Sequence, residues 1–426
     1  MALAADACHA CRAGSEEAKV RPVELCSTDS GTSYSSATSG GSSERPTGAG
    51  LVDPRCTNLN FFHDFARIEE MIGKGSFTKR KELSSCCRGE GQVELHLWSG
   101  EGEKLVVVKR LPAERVRVNQ GQPASEQELF QRSISRSSED VLAEIGVFSY
   151  LGQSEKLPAY ILEMLFALQM DQEVWLVLEH AEGGDLFNVI SKRPPSKELL
   201  LLWAWQLLQA VAFLHQQGIC HRDISLENIL LSGGDIRLMD FGQAVQSSEA
   251  GQLLRYFWAI GKPYYRPPET YIPSSSTFEV MMPPGLSSGQ VTLAKTPSQD
   301  FLCHVRVLDV ETATAEPYGY TAPPVDVFET GVSILIMFFA APPWRQARPN
   351  DTYFKWVQSN GLQALAKSWK KALPEPVGEL LKRMLHLDAE QRPSAQECSS
   401  TPASRAPTAT ASCPSPLASS YWTSSW

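Results

Sequence analysis

Residues 219–244 read ICHRDISLENILLSGGDIRLMDFGQA, and this stretch decides the fold. An apolar run, Ile229 to Leu231, meets the turn residues Ser232, Gly233, Gly234 and Asp235, and a second run, Ile236 to Met239, follows. Two apolar runs around a short glycine turn read as a β-hairpin. A hairpin brings its two ends together. It therefore sets Asn228, just before the first strand, beside Asp240, just after the second, with Asp223 close by. Carboxylate and amide oxygens gathered at one point suit Mg2+, a hard cation that also keeps phosphate and water ligands.

Upstream of this stretch, from about Phe65 to Ala181, the pattern is strand-rich. VELHLW (93–98) alternates, and LVVVKRL (105–111) and VWLVLEH (174–180) are short apolar runs. One helix breaks the series: SSEDVLAEIGVFSYL (137–151) carries apolar residues at helical spacing, with Ser137 or Ser138 as its cap. From Ser196 onward helices dominate, and KELLLLWAWQLLQAVAFLHQQG (197–218) is long, amphipathic and closed by Gly218. A small strand-rich part followed by a larger helical part predicts two lobes with a cleft between them.

The chain has 426 residues, 42% apolar and 20% charged, so a sizeable core can be buried. The net charge of -9 argues against a nucleic-acid binder, which needs a basic face to meet phosphates. Ten cysteines without a repeating interval do not make a secreted disulfide scaffold; a reducing compartment, cytoplasmic or nuclear, is expected. Cys8 and Cys11 form a single C-x-x-C pair and read as ordinary thiols. The start of the chain lacks the apolar core of a secretory signal. The most apolar run, Val325 to Ala341, is interrupted by Asp326 and Glu329 and reads as a buried helix, so no membrane segment is expected. Residues 1 to about 60 are rich in Ser, Gly and Thr and read as disordered. Residues 399–426 are a low-complexity tail, and the abrupt change at QECSSTPAS (396–404) reads as a shifted or alternative ending.

The opening stretch resembles the catalytic loop and D-F-G segment of eukaryotic-type protein kinases of the Ser/Thr class: His221, Arg222, Asp223, Asn228, Asp240, Phe241 and Gly242 all match. The resemblance implies an α+β, bilobal fold with a small β-rich N-lobe carrying one helix and a larger, mainly helical C-lobe. It implies ATP and Mg2+, with Mn2+ as a substitute, and transfer of the γ-phosphoryl group to Ser/Thr hydroxyls of protein substrates. In that pattern Asp223 accepts the proton of the attacking hydroxyl, Asn228 and Asp240 hold the metal, and Arg222 steadies the activation segment.

The rest of the family pattern follows in order. IGKGSF (72–77) resembles the glycine-rich loop, placing Gly73, Lys74, Gly75 and Ser76 near the phosphates; Thr78 stands where the third glycine is expected and Arg80 where a valine would cover the adenine. Lys109 in VVVK resembles the lysine that contacts the α- and β-phosphates. Glu144 is its expected partner, with Glu139 and Asp140 as rivals, and residues 119–136 read as an inserted loop. VWLVLEHAEGGDLF (174–187) resembles the hinge. There Leu178 would be the gatekeeper, Glu179 and Ala181 would bond the base, Asp185 would reach the ribose, and Leu230 would line the nucleotide pocket. Pro267, Pro268 and Glu269 resemble A-P-E with Arg392 as the distant partner, and Asp326 would brace the catalytic loop. The implied domain covers 61–398, with the N-lobe at about 61–181, the C-lobe at about 182–398 and an insertion at about 270–324.

Two positions depart together. Ser225 stands where Ser/Thr kinases usually have Lys, and Lys262 stands where they usually have Thr. The expectation is an exchange: the Lys262 ammonium opposes the charge developing on the transferring phosphoryl group, and Ser225 supplies the missing hydroxyl. Arg222 points to regulation by an activation-segment phosphate. Yet residues 249–269 contain no Ser or Thr, so the expectation is phosphorylation at Ser247 or Ser248, or no such switch. Within the insertion, residues 278–310 alternate and read as a small β-hairpin module. The sequence Leu226-Glu227-Asn228 resembles the Ser/Thr type. The alternative is a pseudokinase scaffold that keeps the fold and nucleotide binding, supported by the altered glycine loop and by Thr78 to Gly91, which match nothing in the pattern.

Overall fold

The computed structural model describes residues 66–67, 75–86, 91–100, 102–113, 141–152, 154, 157–169, 172–192, 195–247, 253–254, 260–271, 277–296 and 302–401. The expected N-terminal disordered segment, the Ser137 or Ser138 cap, the inserted loop 119–136 and most of the tail lie outside these residues.

The smaller lobe is built on β1 (Ala66–Arg67), β2 (Phe77–Cys86), β3 (Gly91–Trp98), β4 (Lys104–Pro112), β5 (Met164–Gln169) and β6 (Glu173–Glu179), with helix α1 (Val141–Gly152) between β4 and β5. They form one six-stranded sheet in the order β1-β5-β6-β4-β3-β2. The alternation of β4 decides its two faces. Val106 and Val108 are fully buried with Trp98, Leu168 and Val177 on one side, where Phe77, Phe166 and Trp175 pack against them. Lys109 points the other way, toward α1.

The larger lobe holds α2 (Leu186–Lys192), α3 (Lys197–Gln216), α4 (Ala322–Phe339), α5 (Thr352–Asn360), α6 (Leu362–Ser368), α7 (Glu375–Met384) and α8 (Ala395–Ser399). Helix α3 starts where the Ser196 hydroxyl accepts from Leu199 N. Helix α4 is the apolar run of the sequence, and Asp326 and Glu329 within it are fully buried. Helices α3 and α4 are long and apolar enough to cross a membrane, but 56% and 89% of their apolar windows are buried inside the lobe, as in core helices. Between the lobes run two short pairs: β7 (Ile219–Cys220) with β10 (Val245–Gln246), and the hairpin of β8 (Ile229–Ser232) and β9 (Asp235–Leu238).

The insertion is larger than the expected hairpin. Strands β12 (Phe278–Glu279), β13 (Val291–Lys295), β14 (Leu302–Asp309) and β15 (Thr314–Thr321) join β11 (Leu253–Leu254) in one sheet, ordered β11-β15-β14-β13 with β12 also on β15. Strand β15 escaped the sequence reading because Pro317 and Gly319 interrupt its pattern. Pro317 is tolerated beside a register irregularity at His304 and Val305, where the missing N–H matters least.

Candidate active site

The hairpin holds the two ends of the opening stretch together. Ile229 pairs with Leu238 and Ser232 with Asp235, and Met239 N donates to Asn228 O at 2.9 Å. Asn228 therefore lies next to the backbone that carries Asp240. The Asn228 amide donates to the Asp223 carbonyl at 2.8 Å and to Asp223 Oδ2 at 3.0 Å. The catalytic-loop backbone is held from below by α4. Asp326 accepts from His221 N at 2.8 Å and from Arg222 N at 2.7 Å, and Glu329 accepts from Ile224 N at 2.8 Å. These fixed amides hold Arg222 at φ 62, a conformation that costs energy for a residue with a Cβ.

Lys109 Nζ donates to both Glu144 oxygens, at 2.7 and 3.0 Å, which joins β4 to α1. Burial pulls the Lys109 pKa down, but the Glu144 and Asp240 charges outweigh it and hold the ammonium above its usual range. At Asp240 burial pushes the pKa up, and Lys109, Lys262 and His221 outweigh it, so the carboxyl stays ionised below its usual range. Glu139 and Asp140, the rivals of Glu144, lie outside the described residues. Phe241 is fully buried, edge-on to Phe148 of α1 at 5.1 Å and tilted against His221 at 5.0 Å. The three rings connect α1, the residue after Asp240 and the catalytic loop in one packed line.

Lys262 completes the cluster from a different segment. Its Nζ donates to Asp223 Oδ2 at 3.1 Å and to Ser225 Oγ at 2.8 Å. Burial lowers its pKa, and Asp223, Glu227 and Asp240 together raise it further than burial lowers it, so it is a cation. The turn that presents it is locked: Arg266 Nε donates to Ile260 O at 2.6 Å, and Tyr265 OH donates to Glu227 Oε2 at 3.0 Å. Gly261 has φ 64, and a Cβ there would run into Glu329 Oε1, so only glycine fits before Lys262. Asp223 thus has Oδ2 engaged by Asn228 and Lys262, while Oδ1 is buried and has no hydrogen-bond partner among the described residues.

The glycine-loop expectation is corrected. Val93 pairs with Lys109 and Gln92 with Arg110, so the end of the β2–β3 pair nearer Lys109 is the one where Cys86 pairs with Gly91. Phe77 pairs with Trp98, and Ser76 N donates to Ser99 Oγ at 3.0 Å, which puts Gly75 and Ser76 at the opposite end of the same hairpin. Gly73 and Lys74 lie outside the described residues. Thr78 and Arg80 are exposed on β2. In the sequence, Gly91 opens the strand before VVVK, whereas IGKGSF lies a whole further strand upstream. At Gly91 a Cβ would come within 2.6 Å of Cys86 Sγ and 2.8 Å of Arg110 O. Gly91→Ala is therefore expected to raise the KM for nucleotide roughly tenfold, about 1.4 kcal/mol of binding, while Ser76→Ala leaves it unchanged; titration of both variants checks this.

At the hinge, Leu178 and Ala181 are buried, Glu179 N donates to Glu163 O at 3.0 Å, and Glu179 ends β6 opposite Val106. Asp185 caps α2, accepting from Asn188 N at 2.8 Å and Asn188 Nδ2 at 2.6 Å. Leu230 bridges to Asp185 across the floor of the hinge. Arg392 Nη2 donates to Glu269 Oε2 at 2.8 Å in a fully buried pair. Arg222 meets Gln243 O and Tyr320 OH. Ser247 Oγ is buried and Ser248 lies outside the described residues.

The donor set fits a divalent cation and a polyphosphate. Asn228 spends its amide nitrogen on Asp223 and keeps its oxygen, and the ionised Asp240 stands beside two ammonium groups that match phosphate charge.

The family model of the protein kinase domain matches residues 99–280. Mouse serine/threonine-protein kinase PAK 4 is 28% identical over 238 residues, 56% of this chain and 32% of that protein. STE20 of Candida glabrata is 24% identical over 335 residues, 78% of this chain and 28% of that protein. A probable serine/threonine-protein kinase of Dictyostelium discoideum is 38% identical over 112 residues, 26% of this chain and 22% of its own length. The chain spans about a third or less of the length of these relatives. With a strand-rich lobe above a helical one, and Lys109, Glu144, Asp223, Asn228 and Asp240 gathered between them, the chain is similar to the eukaryotic-type protein kinases, and residues 99–280 match their domain.

Proposed function

We propose that the chain is an active kinase that transfers the γ-phosphoryl group of Mg-ATP to Ser/Thr hydroxyls of proteins inside the cell. The observation that carries this reading is the Lys262 ammonium set between Asp223 Oδ2 and Ser225 Oγ. It restores to the catalytic loop the positive charge that Ser225 removes. In this reading Asp223 Oδ1 accepts the proton of the attacking hydroxyl, and Asn228 fixes the Asp223 carboxylate for that step. Lys109, steadied by Glu144, holds the α- and β-phosphates, and Glu179 and Ala181 offer backbone groups to the base. Asn228 and Asp240 would hold Mg2+, which supplies charge neutralisation at the phosphates when bound. Lys262 opposes the charge that builds on the transferred group.

The Ser/Thr preference is supported by the printed names of the relatives and by Leu226-Glu227-Asn228. The pseudokinase reading leaned on a damaged glycine loop at Gly73 to Arg80. Against it, Gly75 and Ser76 lie at the hairpin end away from Lys109, while the unmatched stretch Thr78 to Gly91 still speaks for it.

Incubation with labelled Mg-ATP and a mixed library of Ser, Thr and Tyr peptides tests the reading. Labelled phosphate on Ser or Thr, abolished by EDTA and restored by Mg2+, is the expected result. Nucleotide binding without transfer would establish the scaffold instead, and label on Tyr alone would overturn the residue preference.

A further inference from the structure

Arg222, the residue just before Asp223, is buried, and its guanidinium already has partners. Its Nε donates to Gln243 O at 2.7 Å and its Nη1 to Tyr320 OH at 2.8 Å. Gln243 directly follows the D-F-G segment, and Tyr320 is the penultimate residue of β15 in the inserted sheet. The same Tyr320 pairs by its backbone with Leu254 of β11, and Thr321 pairs with Leu253. Strand β11 belongs to the activation segment, between Asp240 and Glu269. One residue of the insertion thus holds the catalytic-loop arginine with its side chain and the activation segment with its backbone.

The packing around it is closed. Tyr320 and Leu254 share a buried cluster with Cys220, Val245, Ile260, Ala322 and Val325, drawn from the catalytic loop's entry strand, the activation segment and the start of α4. Burial raises the Tyr320 pKa further than Arg222 lowers it, so the phenol stays neutral and accepts from the guanidinium. Where a phosphate orders such a segment, it does so by charge-assisted bonds to arginine. Here residues 249–269 offer no Ser or Thr, Ser247 Oγ is buried, and Ser248 lies outside the described residues.

We propose that Tyr320 is a positioning residue for phosphoryl transfer, its hydroxyl taking the place beside Arg222 that an activation-segment phosphate would fill, while β11–β15 pairing orders the segment without modification. The proposal rests on the reading of the chain as an active kinase. It makes the inserted sheet a built-in activator: the arginine that would wait for a modification is satisfied by the same chain.

The test uses the full chain, untreated and after exhaustive phosphatase treatment, with Tyr320→Phe beside it. Turnover of the wild-type chain is expected to stay within about twofold after dephosphorylation. Tyr320→Phe is expected to lower kcat about tenfold, the scale of one lost hydrogen bond to a charged group. Its nucleotide KM and its stoichiometry of nucleotide binding should stay unchanged, which a general loss of folded protein would not give. Hydrogen exchange gives a readout independent of activity: the peptide containing Leu253 and Leu254 should be protected in the dephosphorylated wild-type chain. Loss of turnover on dephosphorylation, wild-type kcat in Tyr320→Phe, or free exchange of that peptide would each overturn the proposal. Absence of turnover in the untreated chain would instead sink the kinase reading, and the exchange measurement would still decide whether the pairing orders the segment.

Discussion

Lys262→Met lowers kcat by about 10²–10³, the scale of removing one fixed charge or donor aimed at developing negative charge. Methionine matches the lysine stem in length and leaves the locked turn around Gly261, Tyr265 and Arg266 intact. What disappears is the ammonium between Asp223 Oδ2 and Ser225 Oγ. The nucleotide KM changes less than kcat, because Lys109 and the hinge remain. The double variant Lys262→Met, Ser225→Lys recovers part of the rate, since it returns a cation to the same carboxylate from the catalytic loop. Steady-state kinetics of the two variants decide the matter: full turnover in Lys262→Met removes the charge from the mechanism, and absence of any recovery removes the exchange.

Asp223→Ala is expected to lower kcat by about 10²–10⁴, the range for a positioned general base. The carboxylate has one oxygen engaged by Asn228 and Lys262 and one with no partner among the described residues, which is the arrangement of an acceptor held ready. Because Lys262 and Asp223 touch, their effects do not add. The double variant Asp223→Ala, Lys262→Met should be little slower than Asp223→Ala alone. Additive losses would show that the two groups act separately, with Lys262 serving some part of the site other than the Asp223 loop.

The reading of the sequence and the structure part company in the N-lobe and the insertion. In the N-lobe, strands β3, β4 and β6 were visible as alternating or apolar runs. Strand β2 was not, because FTKRKELSSC is exposed along almost its whole length and carries no apolar period. Missing that strand hid that Gly75 and Ser76 lie at the hairpin end away from Lys109. In the insertion, β13 and β14 were read as a hairpin. The pairing of β15 with β11 joins residues far apart in the chain, and nothing local in Leu253-Leu254 announces it.

Local patterns alone gave the hairpin of residues 229–238, which sets Asn228 beside Asp240, and the long helices α3 and α4, because turn chemistry and hydrophobic period are written within a few residues of one another; Lys109 and Asp223 were singled out with the help of a family resemblance. Which carboxylate meets Lys109, which hairpin end faces it, where the Lys262 ammonium sits, and that Tyr320 holds Arg222 were decided only by tertiary structure. Each of these is a meeting of segments separated by at least one whole element, and its geometry depends on strand register and on the buried support of α4.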